Sequence, residues 1–180
     1  MGKIYNIGLF GESKSGKTTL GESLLLQAGA IDRMGTTNQG NTVLDFEAEE
    51  KERQISISLA VAYFKKNDNI FYIVDTPGYM DFIGEQISGI EGVDIAVINI
   101  GSDIGIDVGT EKLWEIIKGK NIPSFIFVNK IDVSDINLNS LWSEIESFFG
   151  KKLALITYPI KKGDNFEIVN ILQNQVEEDI

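Results

Sequence analysis

Short apolar runs of strand length recur along the chain and alternate with stretches of helical periodicity. This alternation predicts β-α-β units, in which a mostly parallel sheet carries helices on both faces. Four of the runs are almost continuously apolar, as is typical of strands that are covered on both faces. The sequence therefore predicts an α/β fold with a mostly parallel six-stranded sheet. The predicted strands are Lys3 to Phe10, Ile55 to Phe64, Ile70 to Val74, Val93 to Ile100, Pro123 to Val128 and Leu153 to Tyr158.

The second of these runs has a different pattern. Between Ile55 and Val61 the large apolar residues occupy alternate positions, and the turn-forming residues Lys66 to Asn69 follow. A period of two residues is typical of a strand with one buried face. We therefore expect the second and third strands to form an antiparallel hairpin at an edge of the sheet.

Helical periodicity is clearest from Leu138 to Phe149, where apolar residues recur three and four positions apart and Gly150 ends the pattern. Thr110 to Lys118 repeats this spacing. Asp164 to Glu167 is a variant of the capping box, so a last helix is predicted to begin there. The inward-facing residues of that helix would be Phe166, Val169, Ile171 and Leu172.

The segment from Ala30 to Gln54 departs from both patterns. It has no sustained apolar period, and its stretch from Asp45 to Arg53 holds five acidic and two basic residues. Connections of this length without regular structure are mostly functional or disordered when they occur in a compact domain. We therefore expect an irregular loop that is either functional or disordered.

The chain has no cysteine and no histidine among its 180 residues, and its formal net charge is −11. Disulfides, thiolate chemistry and acid–base catalysis by imidazole are therefore excluded. The negative charge argues against diffuse attraction to nucleic acid or to an anionic membrane, although one focused site could still hold an anion. No apolar run approaches the roughly 20 residues of a membrane-spanning helix, and no signal-peptide pattern occurs, so a cytoplasmic protein is expected.

The residues from Gly11 to Thr18 match the pattern G-x4-G-K-[ST]. They lie between a predicted strand and a predicted helix, which is the setting of a phosphate-binding loop rather than of an unrelated glycine-rich turn. Backbone N–H groups of such a loop converge on a phosphate at the positive end of the helix. Lys17 would reach the β- and γ-phosphates, and the Thr18 hydroxyl would bind Mg²⁺. The nucleotide-binding residues predicted here are Gly11, Ser13, Lys14, Ser15, Gly16, Lys17, Thr18 and Thr19.

A second motif, D-T-P-G, follows the third predicted strand and begins at Asp75. An acidic residue in this place would stand behind the Mg²⁺ site. Gly78 could donate its N–H to the γ-phosphate, because no side chain blocks the approach. Taken alone, the motif could equally be a simple turn.

A third motif, N-K-x-D, comprises Asn129, Lys130 and Asp132 at the end of another apolar strand. A carboxylate there can accept two N–H bonds from guanine, whereas adenine presents no matching pair of donors. N-K-x-D is a weak signal by itself. Three phosphate and base motifs in this order, each at the end of a strand, predict a guanine nucleotide site.

These motifs resemble the GTP-binding domain of the translational GTPases, and within that family elongation factor G and its divergent paralogues. The resemblance covers nearly the whole chain. It implies a Ras-like G domain with a P-loop NTPase fold, which binds GTP or GDP with Mg²⁺ and hydrolyses GTP slowly without a partner. It also implies that the loop before Ser56 and the segment after Asp75 are switches that order around the γ-phosphate. The matching blocks are GESKSGKTTL, EKERQISI, DTPGYMDFIGE, VGTEKLW, PSFIFVNKID and TYPIKKGDNF.

Three positions depart from the family pattern. Ser56 stands where the family has its switch threonine, so the hydroxyl that would bind Mg²⁺ is kept. Tyr79 replaces the histidine that helps to position the attacking water, and it either takes another catalytic role or packs at the start of the next helix. Lys14 replaces an Asp or a small residue, and it either places a second cation near the phosphates or points into solvent. The resemblance thus implies a catalytic set of Lys17, Gly78, Tyr79 and Lys14, and metal ligands Thr18, Ser56 and Asp75.

The carboxyl end leaves two interpretations open. The segment Tyr158 to Ile160 resembles the block that precedes an inserted subdomain in elongation factor G, which would make residues 1–180 an N-terminal fragment of a longer multidomain factor. Alternatively, Pro159 to Gly163 replaces the family's guanine loop and the domain is complete. We expect a monomeric domain whose intact parent acts on the ribosome, without direct binding of nucleic acid by the domain. The alternative is a GTP-dependent regulatory switch outside translation, with negligible hydrolysis of its own.

Overall fold

The structure is a computed structural model that describes residues 2–132, 137–150, 153–163 and 165–172. Its contacts divide the chain into two compact units, residues 1–130 and residues 131–180. The described part of the first unit contains a five-stranded sheet and its helices. The described part of the second contains a helix and a two-stranded sheet.

The sheet of the first unit is built from β1 (Ile4–Phe10), β2 (Ala60–Lys66), β3 (Asn69–Asp75), β4 (Ile95–Gly101) and β5 (Ser124–Asn129). Its strand order is β2-β3-β1-β4-β5. Every neighbouring pair is parallel except β2 and β3, which are antiparallel. The mostly parallel α/β fold is therefore confirmed, with five strands in this sheet and not the predicted six.

The helices described in the first unit are α1 (Lys17–Gln27), α2 (Ala48–Arg53), α3 (Ile83–Glu91) and α4 (Val108–Gly119). Leu9 and Phe10 are neighbours on β1, so their side chains point to opposite faces of the sheet. A Cβ at Gly21 of α1 would lie 3.3 Å from Leu9, and a Cβ at Gly89 of α3 would lie 3.5 Å from Phe10. Helices α1 and α3 thus cover opposite faces, as predicted.

The hairpin of β2 and β3 has the predicted antiparallel pairing and lies at an edge of the sheet. Its turn residues Asn67 and Asp68 have φ angles of 49° and 63°, as a tight two-residue turn requires. The predicted start of β2 at Ile55 is wrong, because β2 begins at Ala60. The N–H groups of the three residues just before Ala60 donate to carboxylates instead of to a strand: Ile57 and Ser58 to Glu50, and Leu59 to Glu85.

Residues 30–59, which we call the acidic loop, connect α1 to β2. The prediction of a fully irregular segment is wrong, because the loop contains the short helix α2 and a 3-10 turn at Thr37–Gln39. The N-terminus of α2 is capped by Glu50, whose carboxylate accepts the N–H of Glu47 at 3.0 Å. Leu44 of the loop is only 1% exposed and packs with Leu25 of α1 and Ala60 of β2. The loop therefore has a core contact of its own.

In the second unit, α5 (Leu138–Phe149) begins and ends as predicted, with Gly150 following it. The side chain of Asn137 caps it by accepting the N–H groups of Asn139 and Ser140. Leu141 and Ile145 are its buried residues. No helix in the described ranges is long and apolar enough to cross a membrane.

The last two elements are strands β6 (Thr157–Lys162) and β7 (Asn165–Asn170), which pair antiparallel with each other. The predicted sixth strand is thus displaced toward the carboxyl end and belongs to a separate sheet, and the predicted last helix is wrong. Lys162 pairs with Asn165, so the connection between the strands is two residues long. Gly-Asp is a hairpin signal, and Gly163 has the φ of 63° that such turns favour. Asp164, the predicted cap of the helix, lies outside the described residues.

Candidate functional site

The loop between β1 and α1 has two glycines in backbone conformations that other residues rarely adopt. Gly11 has a φ of 132° and Gly16 a φ of 94°. A Cβ at Gly11 would lie 2.2 Å from the carbonyl oxygen of Asn99, and one at Gly16 would lie 2.1 Å from Nδ2 of Asn129. Both glycines of the motif are therefore required by backbone angle and by space. The loop leads into the N-terminus of α1, where helix N–H groups are free to bind an anion.

Lys17, the first residue of α1, is 5% exposed. Its Nζ donates to the carbonyl oxygen of Glu12 at 2.8 Å, so the side chain folds back over the loop. Burial lowers the pKa of Lys17 to about 8, and the negative charge of Asp75 opposes this shift. The negative charges of Asp75 and Glu12 thus favour the charged ammonium group of Lys17 in this buried position. Burial also raises the pKa of Glu12, and the negative charge of Asp107 adds to that effect.

Three oxygen-bearing side chains from different segments meet beside Lys17. The Thr18 hydroxyl donates to Oδ2 of Asp75 at 2.7 Å. Oγ of Ser56, from the acidic loop, lies 3.3 Å from Oγ1 of Thr18. Burial raises the pKa of Asp75 to about 7, while the Lys17 charge and the Thr18 hydrogen bond pull it down. The three predicted metal ligands are thus brought together at one point.

Two buried oxygen atoms are consistent with a divalent cation and a phosphate bound at this cluster. Oδ1 of Asp75 and Oγ of Ser15 are buried and have no hydrogen-bond partner in the described part of the chain. Oxygen atoms of carboxylates and hydroxyls are the ligands that Mg²⁺ prefers. Nowhere in the described ranges do three or more Asp or Glu side chains converge as a metal site. A Mg²⁺ ion here would therefore complete its coordination with oxygens from water or from a bound phosphate.

Sequence analysis missed Asp45 as part of this cluster. The Ser56 hydroxyl donates to its Oδ1 at 2.8 Å, and the Thr42 hydroxyl donates to its Oδ2 at 2.8 Å. Asp45 is 3% exposed, so its carboxylate is held by these two hydroxyls. Ser56 donates its only proton to Asp45 and Thr18 donates its only proton to Asp75, so the lone pairs of both hydroxyl oxygens remain available to a cation. No motif distinguishes Asp45 from the other acidic residues nearby.

The segment after β3 lies against the phosphate-binding loop. A Cβ at Gly78 would lie 2.3 Å from the backbone nitrogen of Ser13 and 2.5 Å from Nζ of Lys17. Any side chain at Gly78 would therefore collide with the loop. Gln86 of α3, which is 1% exposed and was missed by sequence analysis, holds this segment by donating to the carbonyl oxygen of Pro77 at 2.6 Å. Tyr79 is 37% exposed.

The amide of Asn129 connects the end of β5 to the phosphate-binding loop. Its Nδ2 donates to the carbonyl oxygen of Ser15 at 3.1 Å, and its Oδ1 accepts the N–H of Lys130 at 2.9 Å. Lys130 forms an ion pair with Asp103 at 2.9 Å. Asp132, the third residue of the motif, is exposed and belongs to the second unit.

The remaining predicted residues of the loop differ in exposure. Ser15 is buried and Ser13 is partly buried. Lys14 is exposed and has a φ of 64°, and Thr19 on α1 is also exposed. The exposed position of Lys14 suits a solvated side chain and leaves its catalytic role a prediction.

A mostly parallel sheet with a glycine-rich phosphate loop after its central strand, and with Asp75 at the end of β3 and Asn129 at the end of β5, defines a P-loop nucleotide-binding protein. Comparison with known proteins identifies the family within this class. Residues 2–178 match the model of the elongation factor Tu GTP binding domain. The chain belongs to this family and is a GTP-binding domain of the elongation factor G-like type.

The relatives are proteins of translation. The chain is 36% identical over 178 residues to mitochondrial ribosome-releasing factor 2 of Yarrowia lipolytica, covering 97% of this chain and 22% of that protein. It is 35% identical over 162 residues to an elongation factor G-like protein of Mycobacterium tuberculosis, covering 90% and 23%. A solved structure from Thermus thermophilus superposes with a TM-score of 0.87 at 30% identity, covering 93% of this chain and 25% of that one. The chain thus spans about a quarter of the length of these proteins.

Proposed function

We propose that this domain hydrolyses GTP with a Mg²⁺ ion held by Thr18 and Ser56, with Asp75 behind them. The observation that carries the proposal is the meeting of these three side chains, with Thr18 Oγ1 at 2.7 Å from Asp75 and 3.3 Å from Ser56. When bound, Mg²⁺ neutralises charge that develops on the β- and γ-phosphate oxygens. The buried oxygen of Asp75 that lacks a partner in the described part of the chain supports an ion in this place.

The residues of the chain would hold the phosphates from several sides. The backbone N–H groups of the phosphate-binding loop and the charged Lys17 would bind the β- and γ-phosphates and stabilise the phosphoryl group during transfer. Gly78 lies close enough to Ser13 and Lys17 for its N–H to contact the same phosphate. Its lack of a side chain is what permits this approach.

The base would be read by the N-K-x-D motif. Asn129 fixes the motif to the phosphate-binding loop through its bond to Ser15, and Lys130 is held by its ion pair with Asp103. Asp132, two residues further along, would accept two N–H bonds from guanine. We therefore expect guanine nucleotides to bind far more tightly than adenine nucleotides.

We further propose that residues 1–180 are the N-terminal part of a longer factor that acts on the ribosome as a monomer in the cytoplasm. The name of ribosome-releasing factor 2 supports the ribosome as the partner, and the quarter of the relatives' length that the chain spans supports a longer factor. Direct contact of this domain with nucleic acid is not expected, because its net charge is −11.

A second candidate is a GTP-dependent switch whose own hydrolysis is negligible. It is favoured by Tyr79, which stands where the family has histidine and is 37% exposed. A phenol can orient water through its hydroxyl but is a poor general base at neutral pH. Under this alternative the bound nucleotide would control a partner without being cleaved.

Single-turnover cleavage of GTP separates the two candidates. The purified chain is loaded with GTP, and cleavage is followed with Mg²⁺, with EDTA, and with Mg²⁺ plus ribosomes. Hydrolysis that requires Mg²⁺ and is accelerated by ribosomes supports the first proposal. Stable GTP under all three conditions supports the switch module. Lys17→Ala provides the inactive control, because it removes the phosphate-binding cation without adding bulk.

A further inference from the structure

Glu22 lies on α1 four residues after Thr18, so the two side chains share one face of the helix. Glu22 is 0% exposed, although a buried carboxyl group is costly unless it finds hydrogen-bond donors. Neither the phosphate-binding motif nor the proposed chemistry uses this residue. Its burial therefore needs another explanation.

The donors come from two places in the acidic loop. Oε1 of Glu22 accepts the N–H of Val43 at 2.7 Å and that of Leu44 at 3.2 Å. Oε2 accepts the N–H of Gly35 at 3.1 Å. Gly35 lies so close to the backbone at Asn41 that a Cβ on it would be 2.5 Å from that residue's carbonyl oxygen. Both arms of the segment from 35 to 44 are thus bound to α1 by one carboxylate.

The loop residues bound by Glu22 are adjacent in sequence to those that contact the candidate Mg²⁺ site of Thr18, Ser56 and Asp75. Leu44 precedes Asp45, and its side chain packs so tightly on α1 that a Cβ at Gly21 would lie 2.5 Å from Leu44 Cδ1. Asp45 accepts the Ser56 hydroxyl at 2.8 Å, and Ser56 lies 3.3 Å from Thr18. The chain of contacts therefore begins at Glu22, crosses the acidic loop and returns to the same face of α1.

We propose that Glu22 is a positioning residue for the Mg²⁺ site. By binding the N–H groups of Gly35, Val43 and Leu44, it holds Asp45, and through Asp45 it holds Ser56 beside Thr18. This inference rests on the proposed function, because it assigns to Glu22 the assembly of the ligands named there. Ser56 reaches the site from the acidic loop, and Glu22 determines where that loop lies.

Glu22→Gln is the sharpest test, because it keeps the size of the side chain and changes one oxygen to an NH₂ group. An amide has one acceptor oxygen, so it cannot accept from all three N–H groups, and its own N–H atoms would face a donor. Glu52→Gln is the matched control. It makes the same change of charge at an exposed position of α2 within the acidic loop.

The first measurement is amide hydrogen exchange of the full chain without nucleotide. Glu22→Gln should accelerate exchange at Gly35, Val43 and Leu44 by roughly tenfold, because each opening costs less once the carboxylate is lost. Glu52→Gln should leave these amides unchanged. Wild-type exchange in a folded Glu22→Gln protein would overturn the proposal.

The second measurement separates a positioning role from a merely structural one. In EDTA, the affinity of Glu22→Gln for a fluorescent GTP analogue should stay within about twofold of wild type, because the phosphate-binding loop is intact. The Mg²⁺ concentration that gives half-maximal single-turnover cleavage should rise roughly tenfold. Equal losses of affinity with and without Mg²⁺ would mean general destabilisation and would also overturn the proposal.

A third variant covers the case in which Glu22→Gln does not fold. Glu22→Asp keeps both acceptor oxygens on a side chain one methylene shorter, so relative to wild type it should lose protection at Gly35, Val43 and Leu44 and need more Mg²⁺. Wild-type exchange in Glu22→Asp would overturn the proposal when Glu22→Gln does not fold. Where both variants fold, Glu22→Asp should lose less than Glu22→Gln. If Asp and Gln lose both equally, the carboxylate is not the anchor. Should wild type show no Mg²⁺-dependent cleavage while Glu22→Gln still accelerates exchange, the anchoring stands and the proposed function fails.

Discussion

The candidate Mg²⁺ site, formed by Thr18, Ser56 and Asp75, lies between two regions whose backbone is fixed by different kinds of contact. The phosphate-binding loop and the strand ends owe their geometry to backbone angles and tight contacts, with Gly11 and Gly16 at positive φ. The acidic loop owes its geometry to buried carboxylates, since Glu22 and Glu50 together accept six of the hydrogen bonds that hold it, all from backbone N–H groups. A segment without apolar periodicity can thus be ordered by a few acidic side chains. The two regions should respond differently to mutation.

The largest effect is expected where a strand end meets the base. Asp132→Asn should weaken GTP binding by roughly 10²- to 10⁴-fold, because two charge-assisted hydrogen bonds of about 1.5–3 kcal/mol each are lost. The same variant should gain affinity for xanthine nucleotides, whose carbonyl can accept from the new amide. Competition against a fluorescent GDP analogue measures both changes. Unaltered GTP affinity would remove Asp132 from the base site.

In the acidic loop, removing the buried apolar side chain of Leu44 should have the largest effect on the free energy of unfolding. Leu44→Ala should lower the free energy of unfolding by about 2–5 kcal/mol, because Leu44 is 1% exposed and its removal leaves a cavity against α1. Val43→Ala, at a neighbouring residue that is 52% exposed, should stay within about 0.5 kcal/mol of wild type. Denaturant titration compares the two variants. Similar small losses in both would mean that the loop is not packed on α1 in solution.

Hydrogen exchange in the acidic loop should also depend on the bound nucleotide. Residues 30–54 are expected to exchange roughly tenfold faster with GDP than with a GTP analogue and Mg²⁺, because Ser56 and the γ-phosphate supply the additional contacts. The difference should be smallest at Val43 and Leu44, which Glu22 binds in either state. Ser56→Ala should abolish the dependence on nucleotide. Identical protection in both states of the wild type would refute a switch in this loop.

A smaller effect is expected at the carboxyl end of α2. Gln54 has a φ of 56°, which is unfavourable for a residue with a side chain. Gln54→Gly should raise the free energy of unfolding by about 0.5–1 kcal/mol, less whatever the hydrogen bond from Gln54 to Asn38 contributes. Thermal unfolding with and without GDP would detect this gain. A loss of more than that amount would show that the Gln54 side chain matters more than the backbone strain.

The smallest effect should be at Tyr79. We expect the isolated domain to cleave GTP no faster than unassisted Ras, at roughly 3–5 × 10⁻⁴ per second. Tyr79→Phe should change that rate by less than about twofold, because a phenol contributes little as a base. Tyr79→His should accelerate cleavage mainly when ribosomes are present. A clear loss of rate in Tyr79→Phe would instead assign the hydroxyl a role in orienting water.

The two regions also differ in how far sequence predicts them. The phosphate-binding loop, the β2–β3 turn and α5 depend on residues that are close in sequence, so motifs and periodicity suffice. Glu22 binds the N–H groups of residues 13 to 22 positions away, and such bonds leave no periodic signal. Asp45 is one of five acidic residues within nine positions, and only its contacts distinguish it.

The wrong elements have equally specific causes. The sequence from Ile55 to Val61 does alternate as a strand would, but the N–H groups of Ile57 to Leu59 are bound by glutamates outside the strand. The predicted start of β2 was therefore too early. At the other end of the chain, the spacing of Phe166 and Val169 fits a helix, whereas the Gly-Asp sequence before them favours a hairpin. The structure has the hairpin, in which β6 and β7 pair over six positions on either side of a two-residue connection.

The late start of β2 affects the edge of the sheet at which edge-to-edge aggregation could begin. An exposed outer edge of a sheet is a template on which another chain can add a strand. Here Glu50 and Glu85 occupy the N–H groups that would extend that edge beyond the seven residues of β2, and the edge ends in the adjacent positive charges of Lys65 and Lys66. The same kind of carboxylate contact that orders the acidic loop therefore also shortens the surface on which aggregation would begin.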